Sequence, residues 1–259
     1  MVRPNKHRTH DMRLASFPAL LLTVTLWISG FSNSHALPPE VKQVIVARCD
    51  GWSSTRATLQ CFERTNSRSP WRQVFRSEIP VLLGRNGLAW GRGVHAEPKA
   101  GSNVKREGDG KAPAGVFRIG RIYGDPPSLP SGARYPYRQV TRWDAWIDDP
   151  RNPYYNRHYV ADPKKVPAWF ESQRMRLGDP AYKYLIEVRH NSDPPAPGFG
   201  SAIFLHVRRG PTRTTAGCTT MEEGNLVNVI RWLRADKNPH YVLLPKAEYA
   251  ARRSAWRLP

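Results

Sequence analysis

GSAIFLHVRRGPTRTTAGCTTMEEGNLVNVIRWL, residues 200–233, organises this chain. Ala202–Val207 is an apolar run that reads as a β-strand with His206 near its end. A basic loop carrying Arg208, Arg209 and Arg213 follows. Ala216-Gly217-Cys218 then leads toward a helix over Glu222–Ala235, where Leu226, Val229, Ile230 and Leu233 keep helical spacing. Thr220 and Glu223 have the spacing of a capping box, which predicts Thr220 as the N-cap. Cys218 would then lie beside the positive end of the helix, where a thiolate is favoured. Gly217 allows a tight turn in which its own N–H and that of Cys218 face a developing oxyanion. If the loop folds back, His206 reaches Cys218, and a Cys–His pair is the general form of an activated thiol nucleophile. On the residues alone, a histidine at a strand end is more often structural than catalytic, and a Gly-Cys before a helix is often mere packing.

Working outward, Val41–Ala47 reads as a strand and Thr55–Arg64 as a short helix or a second strand. Trp71–Phe75, Ile79–Leu83 and Leu88–Trp90 are short apolar runs punctuated by Gly, Asn and Arg, the spacing of antiparallel strands. Ala96–Pro113 reads as a loop and Val116–Ile119 as a strand. Tyr123–Pro163 is dense in Pro, Tyr, Trp and Asp and predicts a long, largely irregular excursion that covers a ligand. Pro167–Leu177 reads as a short helix, and Tyr184–Arg189 and Tyr241–Leu244 as strands. No internal repeat and no shift in composition marks a second domain. The expectation is one mainly-β domain with one or two helices packed on it.

Composition agrees with a packed domain: 40% of the 259 residues are hydrophobic, with nine Trp and ten Tyr, which excludes a disordered chain. The N-terminus carries basic residues from Arg3 to Arg13, an apolar stretch from Leu14 to Ile28 and a small-residue exit at Ser34-His35-Ala36. That order is a signal peptide, and the boundaries read as 1–36 for the signal and 37–259 for the domain. The chain is then exported, to the periplasm or the cell-wall space. The formal net charge is +19; residues 1–36 hold four Lys/Arg and one Asp, so the mature chain carries +16. Such a chain is drawn to polyanions. Export selects anionic wall polymers over nucleic acid, which is excluded as a natural partner.

Cys49 and Cys61 lie close in sequence and, in an oxidising compartment, form an expected disulfide that leaves Cys218 as the odd thiol. The spacings of zinc sites are absent, so neither a metal nor another cofactor is expected. Asp144, Asp148 and Asp149 beside Trp143 and Trp146 suit either sugar contacts or turn capping. His158 and His190 suit a cleft wall or backbone bonds.

The strand histidine followed by a Thr-x-Gly-Cys turn, His206, Thr215, Gly217 and Cys218, resembles the signature of the YkuD-type L,D-transpeptidases. KREGDGKAPAGVFRIG, residues 105–120, is similar to the Gly- and Pro-containing run before a core strand in that family, and LGRNGLAWGRG and YPYRQVTRWDAW resemble a secreted subgroup of it. The resemblance spans roughly Val41 to Tyr249. It implies a single mixed, β-sandwich-like catalytic domain. It also implies Cys218 as nucleophile, His206 as base and Gly217 at the oxyanion, with Thr215 and Thr220 on the substrate side; Arg208, Arg209 and Arg213, in the loop between, either supply positive charge to the substrate or form a solvated basic loop. The implied reaction is attack on a peptidoglycan tetrapeptide stem, loss of D-alanine and transfer of the acyl group from a thioester to an amine. Carbapenem inhibition is implied too. Thr220 stands where the family usually has Arg or Asn, and Ala216 where it often has His. A carboxypeptidase on the same site and a wall-binding protein with a degenerate site are the competing readings.

Overall fold

β1 (Gln43–Cys49) and β2 (Arg56–Glu63) form the antiparallel hairpin on which the domain is built. Thr55–Arg64 is thus a strand, because its alternate residues Ala57, Leu59 and Cys61 are the buried ones. A computed structural model of the chain describes residues 36–96 and 101–259, besides Met1; residues 2–35 of the expected signal peptide lie outside the described residues.

From β1 the ladder runs to β13 (His240–Pro245) in parallel, then antiparallel to the long β6 (Ala112–Gly124), β10 (Leu185–Val188) and β11 (Phe204–Val207). β11 pairs in parallel with β12 (Thr219–Met221), which meets β4 (Ile79–Leu82), which meets β2. Since β2 also pairs with β1, the circuit closes into a barrel-like sheet with no free edge among these strands. The expectation of a mainly-β, mixed domain holds. Ile45, Leu59, Phe117, Ile122, Leu205 and Tyr241 are fully buried within it. β3 (Arg72–Gln73) extends β2, while β5 (Leu88–Trp90) and β7 (Tyr137–Gln139) join β6 in parallel.

Three helices are described: α1 (Phe170–Gln173), α2 (Glu223–Trp232) and α3 (Lys246–Arg252). α2 buries Leu226, Val229 and Ile230 against the barrel, following its sequence pattern. α3 buries only Tyr249, too little apolar periodicity to announce itself. The excursion after Tyr123 contains more order than expected: β7 and a separate two-stranded ribbon, β8 (Asp144–Trp146) with β9 (His158–Val160). No helix of the described residues is long and apolar enough to cross a membrane.

The Cys49–Cys61 disulfide is overturned. Both thiols are free and buried. The β1–β2 register sets Ile45 opposite Cys61, so Cys49 lies four residues further along. At about 3.3 Å per residue that is roughly 13 Å, well beyond the ~7 Å Cα separation a bridge tolerates.

Candidate active site

The basic loop does fold back. β11 and β12 run parallel with Leu205 beside Thr219 and His206 beside Thr220. Alternation along a strand then puts Phe204, His206 and Cys218 on one face. That face floors a cleft whose walls include Trp146, Asp148, Met175, Arg176, Tyr182 and Arg209.

The turn before Cys218 is fixed by Thr215. Its hydroxyl accepts the Gly217 N–H at 3.1 Å and donates to the Cys218 carbonyl at 2.6 Å. The Thr215 backbone is pinned to the end of β4 by Thr215 N–H to Leu83 O (2.9 Å) and Arg85 N–H to Thr215 O (2.8 Å). Gly217 is required by close approach: a Cβ there would stand 3.0 Å from the Lys111 carbonyl and 3.1 Å from Ile203 Cδ1. The Gly217 N–H is engaged by Thr215, which corrects its expected place facing an oxyanion.

Thr220 is not a helix cap. Thr219–Met221 is strand, Glu222 is the N-cap of α2, and no side chain caps it. Pairing with β11 and β4 has outcompeted the local capping box. Cys218 therefore precedes the helix by more than a turn, beyond the reach of its dipole. Thr220 is buried beside His206, and its Oγ1 has no partner among the described residues.

Burial dominates the electrostatics instead. It pushes the Cys218 thiol up to about 11, against the backbone N–H of Phe204 and the charges of Arg209 and Lys105, which pull it down. The Sγ donates to the Ala202 carbonyl at 3.4 Å. Ala202 sits at φ +53°, unusual for alanine. Its N–H is held at 3.1 Å by Asn156 Oδ1, itself bound to Trp146 Nε1. Burial also lowers His206 to about 4, so its ring is neutral at pH 7. Nδ1 lies 2.9 Å from the Val207 carbonyl. A carbonyl only accepts, so Nδ1 carries the proton and Nε2 keeps its lone pair. Cys218 is half-buried at the cleft floor, and the helix end expected to favour its thiolate lies elsewhere. No hydrogen bond joins His206 and Cys218 among the described residues.

Of the arginines, Arg209 lines the cleft and grips Asp179 through Nε and Nη2 at 2.8–3.0 Å. Arg208 pairs with Glu222, and Arg213 is exposed outside the cleft wall. Asp148 lines the cleft. Asp144 is fully buried among Arg138, Thr141 and His158, and Asp149 pairs with Arg151. His190 bonds backbone, at Phe199 O and Arg92 N. Sequence reasoning missed Asp179 and Tyr182, which lie in the unassigned segment before Tyr184, and Met175, which lies in the stretch read as a short helix.

A closed mixed barrel with a Cys–His cleft on adjacent parallel strands defines the class of domain. The chain belongs to the YkuD family of L,D-transpeptidase catalytic domains, whose model matches residues 61–242. No curated protein and no solved structure matches closely enough to refine that assignment.

Proposed function

We propose that the protein is a peptidoglycan L,D-transpeptidase that works through a Cys218 thioester. One observation carries the reading: His206, its Nδ1 proton committed to Val207 O, and Cys218 share one face of adjacent strands at the floor of one cleft. At about 220 Å³ the cleft is smaller than the roughly 300–1,000 Å³ of a small-molecule site. A stem peptide therefore lies across it with only the reacting residue inside.

When the donor displaces solvent, His206 Nε2 takes the thiol proton as Sγ attacks the carbonyl of the stem's third residue. The Cys218 N–H receives the developing oxyanion. Collapse breaks the bond to the terminal D-alanine, whose amine leaves with the proton from His206. An acceptor amine then attacks the thioester and releases the thiol. With the imidazole neutral and the thiol protonated at pH 7, the proton moves to His206 as the Sγ–C bond forms. In an exported setting, the +16 charge of the mature chain draws it to anionic wall polymers.

The test is incubation of the mature protein with disaccharide-tetrapeptides, followed by mass spectrometry. Cross-linked dimers and free D-alanine are expected, with both lost in Cys218→Ala. Tripeptide without dimer identifies a carboxypeptidase; turnover retained in Cys218→Ala sinks the assignment.

A further inference from the structure

The KREGDGK run contributes a buried cation that the chemistry above does not use. The Lys105 side chain is only 3% exposed, and lysine is almost never buried without a partner. Its Nζ donates to Asp109 Oδ1 at 2.5 Å and to the Arg106 carbonyl at 2.6 Å. Asp109 is fixed in turn by the backbone N–H groups of Arg106 (2.8 Å) and Lys111 (2.9 Å). The run is thus a loop built around one ion pair.

That loop lies directly behind the nucleophile turn. The position a Cβ would take on Gly217 is 3.0 Å from the Lys111 carbonyl and 3.7 Å from Lys105 Cε. On its other side the lysine stem comes within 3.1–3.2 Å of the Cβ position of Gly200, two residues before the Ala202 carbonyl that holds the thiol. Lys105 is wedged between the two backbone segments that fix Sγ. A wedge alone needs no charge: a methionine fills similar space without the cost of dehydrating an ammonium. The charge adds a positive potential at a sulfur that burial drives toward the thiol.

We propose that Lys105 is a positioning residue for acyl transfer: its ammonium, anchored by Asp109, stabilises the Cys218 thiolate as it forms, while its stem braces the Thr215–Cys218 turn. The proposal rests on Cys218 being the nucleophile. The other ionisable groups acting on or facing the sulfur are His206, Arg209, Tyr182, Tyr241 and, on the cleft wall, Asp148, Arg174 and Arg176. His206 titrates near 4, and the tyrosines are raised above their usual 10, so between pH 7 and 9 these groups hold their charge.

The experiment is the pH profile of Cys218 alkylation by iodoacetamide in the mature chain, read by peptide mass spectrometry. It needs no peptidoglycan, so it is independent of the turnover assay above. Lys105→Met is expected to slow alkylation at pH 8 about tenfold, equivalent to one pKa unit. Asp109→Asn, which removes the opposing charge, is expected to speed it. A purely structural role moves the first two variants in the same direction or not at all, and either outcome overturns the proposal. Should Lys105→Met fail to fold, the Lys105→Met/Asp109→Asn double variant, which removes both charges, replaces it. Alkylation slower than in Asp109→Asn alone is then expected; an equal rate overturns the proposal.

Discussion

Thr215 holds Cys218 by the backbone, its hydroxyl donating to the Cys218 carbonyl at 2.6 Å while accepting the Gly217 N–H at 3.1 Å. Cys218 is therefore set by a side chain three residues upstream, not by a helix end. Thr215→Val keeps the volume and removes both bonds. A displaced nucleophile costs on the order of 10²-fold for an error of about 1 Å. We expect turnover in Thr215→Val to fall by roughly that factor, and Thr215→Ser to restore most of it. Equal rates in the two variants would show that the hydroxyl has no part in the geometry.

Under the proposed mechanism the acid limb of activity belongs to His206. A base must be neutral, and burial lowers this imidazole to about 4. kcat/KM is expected to climb through pH 4 and to be level from about pH 5.5 to 8. A half-maximum near 6.5, the ordinary histidine value, would mean that the ring is far better solvated than its surroundings indicate.

Stability follows the same histidines with a definite sign. His190, His206 and His240 are buried and lowered to about 3, 4 and 4. Each takes a proton more readily when unfolded, so the unfolded state binds more protons below pH 6.5. Stability is complete above that value and is lost as pH falls toward 4, on the order of a few kcal/mol in sum. Melting temperature is expected to drop steeply from pH 6.5 to 4. A flat profile over that window contradicts neutral burial of these rings.

What the sequence disclosed and what it hid separate along one physical line. Strands with a strong apolar signal were legible: Ala202–Val207 and Tyr184–Arg189 are β11 and β10, and Leu226, Val229 and Ile230 face the core of α2. The pairing of His206 with the Cys218 segment was legible as a return of the loop. Thr220 was not: its local spacing with Glu223 specifies a cap, but a parallel ladder to β11 claims its backbone. The disulfide failed for a similar reason, since sequence proximity says nothing of register. The ion pair of Arg209 with Asp179 at the cleft and that of Lys105 with Asp109 behind the Cys218 turn depend on tertiary placement or loop closure that no periodicity encodes.

Asn156 carries the structural weight behind the thiol. Its Nδ2 donates to the carbonyls of His190 (2.9 Å) and Asn191 (2.7 Å), and its Oδ1 accepts from Ala202 N and Trp146 Nε1. Asparagine also tolerates the φ of +53° found here. Asn156→Leu strands several buried polar groups, each worth about 1–3 kcal/mol. At roughly 2–4 °C per kcal/mol for a domain of this size, the melting temperature is expected to fall by about 10 °C. A drop under about 2 °C would show that the neighbours find other partners.

A carbapenem tests the base and the nucleophile together. Its strained ring presents a carbonyl to the same thiol, and opening the ring leaves the whole drug bound to sulfur as a thioester. The resting thiol is held up near 11, so spontaneous thiolate is scarce at pH 7 and acylation depends on proton transfer to His206. Loss of a general base costs about 10²–10⁴-fold. Intact-mass spectrometry of the wild type is expected to show one adduct, placed on Cys218 by peptide mapping; Cys49 and Cys61 stay unlabelled because both are buried. His206→Ala should acylate slower by that factor at pH 7 and recover partly at pH 10, where hydroxide supplies the thiolate. Acylation of His206→Ala at the wild-type rate would make His206 structural and end the proposed pair.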